Sequence, residues 1–138
     1  MSLVLGASVA LAWCFRDQRT TAMKVLLDRV SDTGATAPQL WPVETLNSLL
    51  VAERRKRIDA DERFRLTEFL EKLPVVIDDE TVPRLWRGTS QLAVLHRLTA
   101  YDATYLELAL RLGLPLATND RALSEAATRV GVAVLPTA

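Results

Sequence analysis

The stretch LTAYDATYLELALRLGLPLATNDRAL, residues 98–123, decides the fold. Thr99 opens a helix there, Tyr101, Tyr105, Leu108 and Leu112 return at helical spacing on one face, and Gly113 stops it. Residues 114–118 then read as a central strand with Pro115 near its start, and Asp120 opens another helix directly behind it. Helix, short apolar strand, helix is the pattern of an α/β sheet, in which helices carry the chain back between parallel strands.

The same alternation continues outward. Residues 3–5 give a first strand, and Ala22, Val25, Leu26 and Val30 mark the apolar face of a helix ended by Asp32 and Gly34. A second strand at 35–37 precedes a helix with Pro42 in its first turn, Val43, Leu46, Leu49 and Leu50 toward the core, and an end near Ile58. Asp59 and Glu62 have capping-box spacing for a helix that buries Phe64, Phe69 and Leu70 before Pro74 and a strand at 75–77. Asp79 is expected to cap the next helix, carrying Val82, Leu85, Trp86, Leu92 and Leu95 and weakened by about 1 kcal/mol at Gly88. Beyond the deciding stretch, the last helix ends at Gly131 and residues 132–135 form a final strand.

With 138 residues, 49% of them hydrophobic and 25% charged, the expectation is one domain over 1–138 with a packed core. Seventeen basic and 17 acidic residues balance, so no long-range basic field points to a protein that coats DNA. The single cysteine, Cys14, excludes an internal disulfide and multi-thiolate zinc, and a reducing, cytoplasmic setting fits. The apolar run 3–15 reads as a buried strand and helix: no Lys or Arg precedes it, and it is short for a membrane span.

Ligands of an open parallel sheet lie beyond the carboxyl ends of its strands, where helix N-termini converge. Three acids fall there: Glu44 in the first turn after the second strand, Asp102 in a first turn behind Thr99, and Asp120 after Thr118. Each has a local explanation, since acids suit first helical turns, Thr99 and Asp102 have capping spacing, and Asp120 can serve as an N-cap. Should the three converge, their repulsion calls for a cation, and an all-oxygen set suits Mg²⁺ or Mn²⁺. A cation so held orients water and neutralises a phosphoryl oxygen, the requirements of phosphodiester cleavage.

Three stretches carry a family likeness: LVLGASVALAW at 3–13, LWPVETLNSLLVAERR at 40–55, and the stretch at 98–123. Together they resemble the PIN-domain ribonucleases of the VapC toxin type. The resemblance implies a PIN-like three-layer α/β/α sandwich with a short central parallel sheet, cutting RNA, often a structured RNA such as tRNA, with Mg²⁺ or Mn²⁺. Glu44, Asp102 and Asp120 match three acids of the family pattern, as catalytic groups and metal ligands. Gly6 stands where the family has its first acid, so one anionic ligand is missing and turnover is expected to be weakened or abolished. Asp17 lies about 13 Å along a helix axis from Ser8, too far to replace a strand-end ligand. The resemblance further implies self-association as a homodimer and a small antitoxin whose tail covers the active-site groove, its other part binding DNA.

Ser8, Thr118 and Asn119 lie near the expected site, and Ser8 and Thr118 are candidates to hydrogen-bond its carboxylates or water. Arg54, Arg55, Lys56 and Arg57 are either an RNA-phosphate contact or a solvated C-terminal helix turn, where cations oppose the dipole. His96, the one histidine, suits packing or a helix end, and Trp13, Trp41 and Trp86 suit core packing. Two rivals stand beside the nuclease. One is a non-catalytic PIN-fold module that binds an antitoxin or RNA. The other, a phosphoacceptor receiver domain, needs an acid after the first strand and a matching Lys, against Gly6 and the positions of Lys24, Lys56 and Lys72.

Overall fold

The computed structural model describes residues 2–137. Its centre is a five-stranded sheet in the order β3-β2-β1-β4-β5, with every neighbouring pair parallel. The strands are β1 (Val4–Leu5), β2 (Ala35–Ala37), β3 (Val75–Ile77), β4 (Leu116–Ala117) and β5 (Val134–Leu135). Central β1 and β4 are fully buried and consist of Val, Leu and Ala, as strands covered on both faces require. The strands read at 114–118 and 132–135 keep only two paired residues each.

Helices α1 (Ala7–Cys14), α2 (Thr21–Thr33), α3 (Trp41–Arg54) and α4 (Ala60–Lys72) follow β1 and β2. They touch one another as one layer. Between β3 and β4 come α5 (Thr81–Arg84), a π-turn (Leu85–Thr89), α6 (Ser90–His96) and α7 (Ala100–Leu112), and α8 (Arg121–Arg129) joins β4 to β5. Right-handed crossovers explain the layering. The chain steps from β1 toward β3 and then returns to the far side of β1, so the second group of helices covers the opposite face. The result is the three-layer α/β/α arrangement expected.

Local chemistry sets the helix ends. Asp59 and Glu62 form the expected capping box, Thr99 accepts from the Asp102 amide at 3.1 Å, and Asp120 accepts from the Leu123 amide at 2.8 Å. Gly113 closes α7 at φ +66°, where a Cβ would be strained. Asp79 does not cap α5: that end is tied down by the Gln39 side chain, which accepts from the Val82 amide, and by Thr81 on Asp78. Helix α3 stops at Arg54, short of Ile58, because Lys56 turns to φ +60°.

Several expected core faces are rotated. In α2 the buried residues are Met23, Leu26 and Val30, with Ala22 and Val25 exposed; in α3 they are Trp41, Thr45, Leu49 and Ala52, with Val43 and Leu46 exposed. Phe64, Tyr101 and Leu112 are also exposed. Trp86 does not join the core, being 82% exposed on the π-turn that displaces its face. Cys14 is buried against the Ala10 carbonyl, and burial pushes its thiol up to about 11, leaving it inert. No helix among the described residues is long and apolar enough to cross a membrane.

Candidate active site

The chain leaves β1 toward β2 and β3 but later adds β4 on the other side of β1, so the sheet changes winding direction between β1 and β4. At such a switch point the loops diverge and leave a crevice beyond the strand ends. Here it is a cavity of about 230 Å³ whose lining includes Gly6, Ser8, Glu44, Asp102, Tyr105, Thr118 and Asp120. The three acids expected at the site therefore face one space, from the first turns of α3 and α7 and the N-cap of α8. Each is half-buried. Their oxygens are not drawn within 4.8 Å of one another, unlike those of Asp78, Asp79 and Glu80 elsewhere.

Each wall is held by hydrogen bonds. Tyr105, three residues after Asp102 on α7, donates its hydroxyl to Glu44 Oε1 at 2.6 Å. This ties α7 and α3 together at one oxygen. Burial, then the Glu44 carboxylate, raises the Tyr105 pKa, so the phenol stays a donor. Ser8 and Thr118 hydroxyls lie 3.3 Å apart, Ser8 accepts from the Asn119 amide at 2.9 Å, and Thr118 accepts from the Asp120 amide at 3.0 Å. They brace the loop that presents Asp120 and contact its backbone, not the carboxylates. Tyr105 was legible only as a helix-face residue; its spacing from Asp102 was the available signal.

Burial, then the charges of Asp120 and Glu44, raises the Asp102 pKa, partly offset by a hydrogen bond from Thr99. Among the described residues, no basic one lines the crevice to balance these acids. Its donors are carboxylate, hydroxyl and backbone oxygens, a set that fits a hard divalent cation.

Gly6 occupies the end of β1 in ordinary extended backbone, φ −70° and ψ 146°. A Cβ there would lie 2.5 Å from the Ala117 carbonyl oxygen, the same oxygen that accepts the Gly6 amide at 2.8 Å. The position thus lacks an acid and also the room for one, unless β1 and β4 part.

Of the basic run, Arg54 ends α3, Arg55 follows as its cap, and the left-handed turn at Lys56 swings Arg57 over the Phe15 ring, 4.5 Å from its centroid. Arg55 and Arg57 line a cavity that adjoins the crevice; Arg54 and Lys56 do not. Asp17 is exposed and stands 3.8 Å from Arg57, away from the acids. His96 ends α6 with its Nε2 buried and without a partner among the described residues.

An open parallel sheet with an acid-lined crevice at its switch point, without a basic residue among the described residues that line it, defines the class: an α/β protein with an acidic crevice beyond its strand ends. This chain belongs to the PIN domain family, whose pattern matches residues 3–129. It is 36% identical over 104 residues to Ribonuclease VapC1 of Mycobacterium tuberculosis, covering 74% of each chain. Ribonuclease VapC3 of Pyrobaculum aerophilum is 27% identical over 125 residues, 91% of this chain and 94% of that one. VapBC2 from Rickettsia felis, solved bound to a DNA fragment from its promoter, shares the fold with a TM-score of 0.67 at 12% identity, covering 97% of both chains.

Proposed function

We propose that this chain is a VapC-type endoribonuclease toxin, a single PIN domain over 1–138, whose turnover is weakened or silenced by Gly6. The observation that carries the reading is the convergence of Glu44, Asp102 and Asp120 on one crevice without a basic residue. Glu44, Asp102 and Asp120 would hold Mg²⁺ or Mn²⁺, which when bound supplies the Lewis acidity that activates water and neutralises a phosphoryl oxygen. Tyr105 fixes the Glu44 carboxylate, and Ser8 and Thr118 fix the loop carrying Asp120, so the acids stay poised although they repel. The substrate is RNA, tRNA included. The partners are a cognate antitoxin and a second copy of the chain, and the setting is cytoplasmic; kinship with the VapC proteins and the VapBC2 fold supports these.

A second reading has its own observation. The Ala117 oxygen closes on the place a Gly6 side chain would take, as expected of a PIN fold kept for binding an antitoxin or RNA without catalysis. Cleavage of a total-RNA pool with Mg²⁺, with Mn²⁺ and with chelator separates the two for the chain, Gly6→Asp and Gly6→Ala. Both variants carry the crowded Cβ and should lose about 1–3 kcal/mol of stability. Only Gly6→Asp should gain metal-dependent cutting. A folded Gly6→Asp protein that never cuts RNA overturns the nuclease reading in favour of the binding module.

A further inference from the structure

A line of cavities leads away from the acid crevice along α1. The crevice shares Ser8, Leu11 and Ser48 with a cavity of about 350 Å³ that holds Arg55 and Arg57 and no carboxylate. That cavity shares Phe15 and Arg57 with a third of about 610 Å³, where Arg16, Arg19 and Arg65 join the wall. Charge therefore changes sign along one continuous groove: acids without a base at one end, then arginines without an acid, then four arginines against Asp17 and Glu62. Both of those acids have local partners, Asp17 near Arg57 and Glu62 accepting from the Asp59 amide.

Folding does not account for this positive charge. Arg19 has a structural task, donating to the Trp13 carbonyl at 2.8 Å. By contrast Arg16, Arg55 and Arg65 are exposed and form no ion pair or side-chain hydrogen bond among the described residues. Unpaired guanidinium forks on a concave wall match phosphate oxygens. Phe15 is buried beneath Arg57, so the groove offers charge to a backbone and no open ring to a base. A uniform polyanion suits both ends once a cation sits on the acids, whereas an acidic peptide suits only the arginine end.

We propose that this groove is the track of single-stranded RNA flanking the scissile bond, with Arg55 and Arg57, then Arg16 and Arg65, taking successive phosphates. It rests on the ribonuclease reading and gives the strand its path. From Ser8 to Cys14 the α1 axis covers about 9 Å, and Arg16 lies just beyond its end, so the groove is long enough for more than one phosphate of the strand.

The test is binding of a short fluorescein-labelled oligouridylate, by anisotropy across a range of salt concentrations, with Ca²⁺ in place of Mg²⁺ or Mn²⁺ so that a cation is present on the acids. Against the unmodified chain, R16A/R65A should bind about tenfold more weakly, and its salt slope should fall by about 1.4, from about 0.7 per phosphate on a single strand. Arg16→Glu, with an unchanged melting temperature, should weaken binding to a similar extent. Unchanged affinity and slope in a folded R16A/R65A protein, or no RNA binding by the unmodified chain, overturns the track. Competition by polyglutamate as strong as by RNA of equal charge also overturns it, assigning the groove to an acidic peptide. If binding needs these arginines while Gly6→Asp never cuts RNA, the track stands and the nuclease reading falls. If Gly6→Asp cuts RNA while binding is independent of the arginines, the nuclease reading stands and the track falls.

Discussion

Helix α7 gathers carboxylates at both ends, and the two groups differ in what balances them. At its C-terminal end Arg111 donates to Asp78 Oδ2 at 2.7 Å and to Glu107 at 2.9 Å, and stands 3.6 Å from Glu80. All three partners of the tight core are nearly buried: the side chains of Arg111, Asp78 and Glu107 are 12%, 8% and 10% exposed. At the N-terminal end, Asp102 meets Glu44 and Asp120 with no basic residue in the lining. The acids 78–80 crowd more closely than the crevice acids do, yet Arg111 and Arg84 already pair with Asp78 and Glu80 there. The two groups therefore differ in kind: one is crowded and paired with arginines, the other wider and without a basic residue in its lining. The protonation equilibria agree in direction. Burial would raise Asp78, but hydrogen bonds from Arg111, Thr81 and the Glu80 amide outweigh it and lower its pKa, whereas Asp102 is raised.

The largest expected effect comes from removing the built-in cation. Arg111→Met strands two buried carboxylates and should cost about 3–5 kcal/mol in urea unfolding; a loss below about 1 kcal/mol would erase the distinction between the two ends. Next is the supplied cation. Mn²⁺ at a hundred times its dissociation constant should stabilise the chain by about 2.7 kcal/mol, read as a rise in melting temperature. Asp102→Asn should abolish that rise and Asp79→Asn should leave it intact; the opposite pattern would move the cation site to the 78–80 group.

The smallest effect is in the titrations, whose signs oppose. Asp78 has a lowered folded pKa, so its contribution is present above its ordinary value near 3.8 and is lost as pH falls through the lowered one. Asp102 has a raised folded pKa, so without metal the protein gains stability as pH falls through that value and the cost of burying its charge, then the repulsion of Asp120 and Glu44, is relieved. Carboxyl NMR without divalent ions should show Asp78 titrating below 3.8 and Asp102 above it. A lowered Asp102 would mean that neither its burial nor the neighbouring acids govern its titration.

Legibility followed the range of the forces. Caps at Asp59, Thr99 and Asp120 involve atoms three residues apart and were readable from spacing. Helical faces were read less well, since alternative apolar residues compete and packing selects among them. Thus Met23 and Trp41 are buried while Val25 and Val43 lie in water, and a π-turn carries Trp86 outward. The acids Glu44, Asp102 and Asp120 were legible because each stands in the first turn or at the cap of a helix, Glu44 and Asp120 directly after a strand. Tyr105 was not, because its hydroxyl bond to Glu44 spans 61 positions.

By itself the sequence determined the alternation of strands and helices, the helix caps, and which polar side chains stand at the strand ends, because these depend on near neighbours and on burial of apolar runs. It also showed that residue 6 has no side chain. Only the tertiary structure decided that β4 joins β1 on the side away from β2, which opens the crevice where the acids meet. The same pairing sets the Ala117 oxygen against Gly6. Strand order is fixed by how the layers bury their apolar surface together, a property of the whole packed chain that no local window contains.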